Sequence, residues 1–249
     1  MYRVYEKYST RTGLRRIPQI LLYLLKLSIV SFLIYIIITS FFVTSFSIGS
    51  VSMKPTLENG DRVLVSSLNY GPFIPFTKVR IKVQNRPQRG DIVIFKPPYI
   101  KNYKFPLNIL EPIVNFFTLN SRSLLKDAAG HRIYPYMVKR VIGVPGDTVK
   151  IKDFLAYIKE SGKSVYIRES SLIHGKYHVI TDFNPSGWKE GLPFSGNMDP
   201  VSLGKNEYIL LGDNRPESSD SRSWGIVKFS RIMGKVIYRY EPLSKFGKI

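Results

Sequence analysis

Cysteine is absent from the 249 residues, so neither disulfide bonds nor thiolate chemistry is open to this chain. Histidine is scarce: His131, His174 and His178 are the whole supply, and none has the neighbours of a catalytic base. His174 and His178 are four apart, but Gly175 lies between them and no third ligand stands near, so no metal site is expected. Long runs of like charge are also missing. Lys and Arg outnumber Asp and Glu by 37 to 18, for a net charge of +19, yet they are spread from Arg3 to Lys248 in runs no longer than two. That pattern is a basic surface and not a nucleic-acid stripe, so no nucleic-acid partner is expected. The G-x-S-x-G elbow and H-E-x-x-H are absent, and Gly162-Lys163-Ser164 lacks the upstream glycine of a phosphate loop. No cofactor is expected. Arg89-Gly90-Asp91 reads as a turn before the apolar run Ile92–Phe95.

The longest uncharged stretch runs from Leu27 to Met53. Its first part alone is about 20 residues, ~30 Å as a helix, which spans a bilayer. A transmembrane helix is therefore expected over 27–47. Ahead of it stand Arg3, Lys7, Arg11, Arg15, Arg16 and Lys26 against the single acid Glu6. The positive-inside tendency then places residues 1–26 in the cytoplasm and 48–249 outside, with Lys26 snorkelling to the interface.

Beyond the anchor the chain turns to short runs rich in Val, Ile and Tyr, punctuated by Gly and Pro, which predicts a mainly β domain. Strands are expected at Arg62–Ser66, Asp91–Phe95, Tyr136–Ile142, Thr148–Ile151, Ser164–Ile167, Tyr177–Ile180, Tyr208–Leu211 and Gly234–Tyr240. Two stretches read as insertions. Residues 96–135 carry an apolar patch, Phe105 to Leu119, suited to a short helix or a surface lying on the membrane. Residues 152–203, with turn signals at Glu160-Ser161-Gly162 and Pro185-Ser186-Gly187, suit a smaller β subdomain.

Residues fit for chemistry gather in three places: Ser50–Leu57, Lys139–Asp147 and Gly212–Gly225. A serine hydroxyl is a weak nucleophile and needs a base within hydrogen-bond reach. With the histidines set aside, lysine is the remaining candidate. On a strand, Met137, Lys139 and Val141 share one face, and apolar flanks would desolvate the amine and lower its pKa. From the residues alone, Lys139 reads equally as a base or as one more surface lysine.

Taken in order, Ser-x-Ser-Met-x-Pro-Thr-Leu at Ser50–Leu57, Arg-Gly-Asp-Ile-Val-x-Phe at Arg89–Phe95, Lys-Arg-Val-Ile-Gly-x-Pro-Gly-Asp at Lys139–Asp147 and Gly-Asp-Asn-Arg-x-x-Ser-x-Asp-Ser-Arg-x-Trp-Gly at Gly212–Gly225 resemble the boxes of type I signal peptidases. Val51 departs from the glycine usual there, and Ile48-Gly49 from the usual apolar-Pro pair. The resemblance implies an endopeptidase with a Ser52/Lys139 dyad and no cofactor. It further implies an oxyanion hole from the Ser52 N–H and the Ser50 hydroxyl, and a Ser218 hydroxyl bonded to the Lys139 amine. Asp213 is implied as partner of Arg140, and Asp220 as partner of Arg222. Substrates would be signal peptides of exported preproteins at the outer face of a bacterial cytoplasmic membrane, in contact with phospholipid, and contact with the secretion machinery is left open. Ser/Lys self-cleaving repressors share the chemistry, but the uncharged Leu27–Met53 stretch leaves no room for their DNA-binding segment.

Overall fold

The computed structural model describes residues 17–77, 79–100, 106–118, 122–126, 135–173, 177–182 and 196–249. His131, His174 and the Pro185-Ser186-Gly187 turn lie outside them.

Helix α1 covers Ile17–Ile37 and runs on through a wider π turn, Ile38–Phe42. It thus begins ten residues before the expected 27 and stops before 47. Two causes account for the shift. Lys26 interrupts the apolar run but not backbone hydrogen bonding, and Pro18 is well placed in a first turn, where its missing N–H costs nothing. At the other end, Val43–Ser47 leaves the helix as strand β1 because it pairs antiparallel with β2 (Arg62–Ser66), Val43 opposite Ser66. Ser67 fastens the junction, its N–H reaching Phe42 O and its hydroxyl donating to Ser40 O at 3.0 Å.

The remaining strands of the large sheet are β3 (Ile92–Phe95), β4 (Met137–Gly143), β9 (Glu207–Leu211), β10 (Val227–Lys228), β11 (Ile232–Glu241) and β12 (Gly247–Lys248). They run in the order β1-β2-β11-β3-β4-β9-β10, with β12 on β11, and every pairing is antiparallel. Between β4 and β9 the chain builds a second, four-stranded sheet from β5 (Thr148–Lys152), β6 (Leu155–Lys159), β7 (Ile167–Arg168) and β8 (Met198–Ser202), ordered β7-β6-β5-β8. A smaller β subdomain is expected over 152–203; β6, β7 and β8 fall there, while β5, on which β6 and β8 pair, begins before it. The expected strand at Tyr177–Ile180 reduces to one bridge, Ile180 with Asn214, because that segment crosses back to the large sheet. In the first insertion a short amphipathic helix, α2, covers Leu107–Phe117.

Alternation along β3 sends its side chains to two cores. Val93 and Phe95 pack with Tyr70, Val141, Tyr208, Leu210 and Ile232. Ile92 and Ile94 pack with Met53, Leu57, Val63, Val65 and Val236. The second core holds the chain just after α1 and β1.

Candidate active site

Ser52 sits in a turn that the sheet pins from both sides. Ile48 N–H donates to Asp61 O, Gly60 N–H to Ile48 O, and the buried side chains of Met53 and Leu57 plug the turn into the core. Asn214 closes it from above, its N–H donating to Ser52 O at 3.0 Å and its amide nitrogen to Val51 O at 3.3 Å.

Register brings Lys139 to this turn. On β4 it stands opposite Val93, which is fully buried, and two residues from buried Val141. Its amine donates to Ser52 Oγ at 2.5 Å, in a pocket that leaves Lys139 3% exposed and Ser52 4%. Burial pulls the Lys139 pKa down to about 8 from 10.5, against the opposing pull of the Asp220 and Asp213 carboxylates. At that value a sizeable neutral fraction exists near neutral pH, and the same contact then runs in reverse, the serine O–H donating to the amine. Ser50 Oγ lies 3.1 Å from Ser52 Oγ. Among the described residues the Ser52 N–H donates to no acceptor, so it is free to receive one.

The implied ion pairs are present. Arg140 grips Asp213 with two bonds, Nε to Oδ1 at 2.8 Å and a terminal nitrogen to Oδ2 at 2.6 Å, and Thr56 donates to the same Oδ2 at 2.6 Å. Arg222 grips Asp220 at 2.9 and 2.8 Å, and Gly212 N–H adds a third bond to Asp220 at 3.1 Å. Burial would raise the Asp220 pKa, but the Arg222 guanidinium and the Lys139 amine hold it below its ordinary value.

Ser218 differs from expectation. Its buried hydroxyl has no partner of hydrogen-bond geometry among the described residues, so the implied bond to Lys139 is not made, although Ser218 lies near enough to Asp220 to help hold that carboxyl low. Ser218 packs closely over Gly212, where a Cβ would lie 2.2 Å from Ser218 Oγ and 2.5 Å from Ser52 O. Three contributors went unread in the sequence. Thr56 and Asn214 lie inside recognisable boxes but are common turn residues. The third is a network around the buried pair Arg215 and Glu169, bonded at 2.9 and 2.6 Å, to which the half-buried Tyr177 adds its O–H, donating to Glu169 at 2.8 Å. Glu169 opens the short helix α3 (Glu169–Leu172) of the small subdomain, where nothing in the local sequence sets it apart from a surface acid.

A serine held against a buried lysine amine, on an antiparallel β frame that follows one long apolar helix, is the arrangement of a serine peptidase. The profile of the family described as "Signal peptidase, peptidase S26" matches residues 21–241. The chain belongs to that family. It is 29% identical over 219 residues to Signal peptidase IB of Staphylococcus aureus (strain Mu50), covering 87% of each chain. It is 28% identical over 246 residues to Signal peptidase I of Buchnera aphidicola subsp. Baizongia pistaciae, covering 86% of this chain and 74% of the relative. The crystal structure of a signal peptidase I from Enterococcus faecalis aligns over 61% of this chain and 97% of its own, with 22% identity and a TM-score of 0.32.

Proposed function

We propose that this enzyme removes signal peptides from exported preproteins, with Ser52 as nucleophile and Lys139 as general base. The observation that carries the reading is the 2.5 Å contact between the Lys139 amine and Ser52 Oγ inside a buried pocket. Neutral Lys139 takes the hydroxyl proton as Oγ bonds to the scissile carbonyl carbon. The oxyanion is received by the Ser52 N–H and the Ser50 hydroxyl. Collapse breaks the C–N bond, and the lysine ammonium hands its proton to the departing amine, leaving an acyl-enzyme on Ser52. Lys139 then deprotonates a water that releases the signal peptide and restores the hydroxyl.

Arg140–Asp213 and Arg222–Asp220 hold the floor of the pocket, and Asn214 sets the height of Ser52. The helix α1 crosses the cytoplasmic membrane with residues ahead of it inside and the β domain outside, so the substrate's own apolar segment delivers the scissile bond to Ser52 at the bilayer surface.

The test is cleavage of a preprotein by the detergent-purified enzyme across a pH series. Ser52→Ala and Lys139→Met should both lose activity by orders of magnitude while keeping wild-type circular dichroism. Wild-type kcat/KM should rise with pH to a limb near 8, the value at which half of Lys139 is neutral. A Lys139→Met enzyme that cuts as well as wild type would sink the assignment of the base.

A further inference from the structure

The first insertion carries a surface that the peptidase chemistry does not use. Helix α2 carries Glu111 and Asn115 four apart, on one narrow stripe. Glu111 is turned back into the protein: its carboxylate accepts from Ser123 Oγ at 2.6 Å and from Leu124 N–H at 2.7 Å. The rest of the helix is apolar, and Leu107 beside the stripe and Leu110 and Phe117 across from it are 39%, 42% and 64% exposed. An 11-residue helix showing such a face to water would be poorly placed.

Its position says what covers that face. Phe116 packs edge-on against Phe32 of α1 with ring centroids 5.3 Å apart, and against Tyr35 at 5.1 Å. Phe32 and Tyr35 lie ten and seven residues before Phe42, where the apolar helix ends, or about 15 and 10 Å down its axis. The whole 26-residue span is about 39 Å long, some 9 Å more than the roughly 30 Å hydrocarbon layer. Even if all the excess projected on the side of the β domain, both contacts would fall within the apolar layer. The exposed sides of α1 and the bare face of α2 are therefore one continuous apolar surface, and an aqueous partner could not reach it at that depth.

We infer that α2 is a second membrane-embedded element, lying in the leaflet nearest the β domain with Leu107, Leu110 and Phe117 in the acyl chains. This rests on the reading of α1 as a membrane span. Amphipathic helices of this kind bury their apolar face about 5–10 Å into the headgroup and acyl boundary, the depth that the Phe116 contact sets.

The absence of cysteine makes the test direct. The full-length chain would be given one cysteine at a time, Leu110→Cys, Phe117→Cys, Ile29→Cys in the span, and Val165→Cys on the small subdomain, which is 69% exposed. Each would be labelled with an environment-sensitive fluorophore and reconstituted into phosphatidylethanolamine–phosphatidylglycerol vesicles containing acyl-chain nitroxide lipids. The labels at 110 and 117 should lose fluorescence to the nitroxides as the label at 29 does, while the label at 165 keeps its signal. Quenching at 29 without quenching at 110 and 117 would overturn the embedded helix and leave the anchor standing. No quenching at 29 would overturn the anchor and the embedded helix with it.

Discussion

A lysine that must accept a proton has to be kept partly neutral, and here the means is burial. The cost appears in stability. The folded-state pKa of Lys139 is about 8 and the unfolded value about 10.5, so below pH 8 the folded protein holds an ammonium in a poorly solvated place. Between the two values the unfolded chain binds more protons, and stability rises with pH. Replacing the amine with an apolar side chain of similar length removes the penalty. Lys139→Met should therefore be more stable than wild type at pH 7, by at most about 3 kcal/mol, with the difference shrinking as pH climbs from 8 towards 10.5. Denaturant melts of both proteins at pH 7 and pH 10 check the sign; an equal or lower midpoint at pH 7 would mean that burial does not set the amine's charge. At Gly212 the constraint is space, since a Cβ there meets both Ser218 and the Ser52 carbonyl. Gly212→Ala must push the Ser52 turn away from Lys139. We expect kcat to fall at least tenfold with KM little changed, because a misplaced nucleophile spoils the attack more than the binding.

Between elements, the Arg215–Glu169–Tyr177 network joins the loop after β9 to the small sheet. Arg215 is wholly buried and also donates to Phe154 O at 2.7 Å. Removing the acid strands the guanidinium, and Glu169→Ala should cost about 3–5 kcal/mol. Glu169→Ala with Arg215→Met should recover part of that loss, which thermal melts of the single and double variants would show. Because Asn214 immediately precedes Arg215, the single variant should also lower kcat. This network marks the limit of what the residues reveal unaided. Ser52, Lys139, Arg140, Asp213, Asp220 and Arg222 were picked out only through the resemblance of the short boxes that hold them to those of a known family; from the residues alone Lys139 could not be told from a surface lysine. Most strands of the large sheet were legible from the residues themselves, as Val- and Ile-rich runs between turn residues. Glu169 was not, since its burial is decided by Arg215, 46 positions away. Strand β1 was hidden for a comparable cause: Val43–Ser47 continues the uncharged stretch of the helix before it, and only pairing with β2 draws it out. Ser218 shows the reverse, a residue whose box implied a bond to Lys139 that is not formed.

For the whole molecule the telling feature is how little chain separates the anchor from the chemistry. The apolar helix ends at Phe42, β1 starts at Val43 and is paired along its full length with β2, and Ser52 follows five residues after that strand. Ser67 ties the helix end to the strand at Phe42 and Ser40. No flexible linker intervenes, so with α1 in the membrane as proposed the height of Ser52 above the bilayer would be set by a rigid connection. A substrate whose apolar segment is itself in the membrane presents its scissile bond at a fixed height too, and matching the two heights replaces a three-dimensional search with a bound, oriented encounter. A six-residue Gly-Ser insertion between Phe42 and Val43 should break that match while leaving the strand pairing and the Ser52–Lys139 contact intact. On a preprotein reconstituted in the same vesicles, kcat/KM should fall several-fold; on a soluble peptide with the same cleavage sequence it should stay at the wild-type value. Equal loss on both substrates would point to damage in the β domain, and no loss on either would show that α1 serves only to concentrate the enzyme at the membrane, with its rigid junction to β1 playing no part in catalysis.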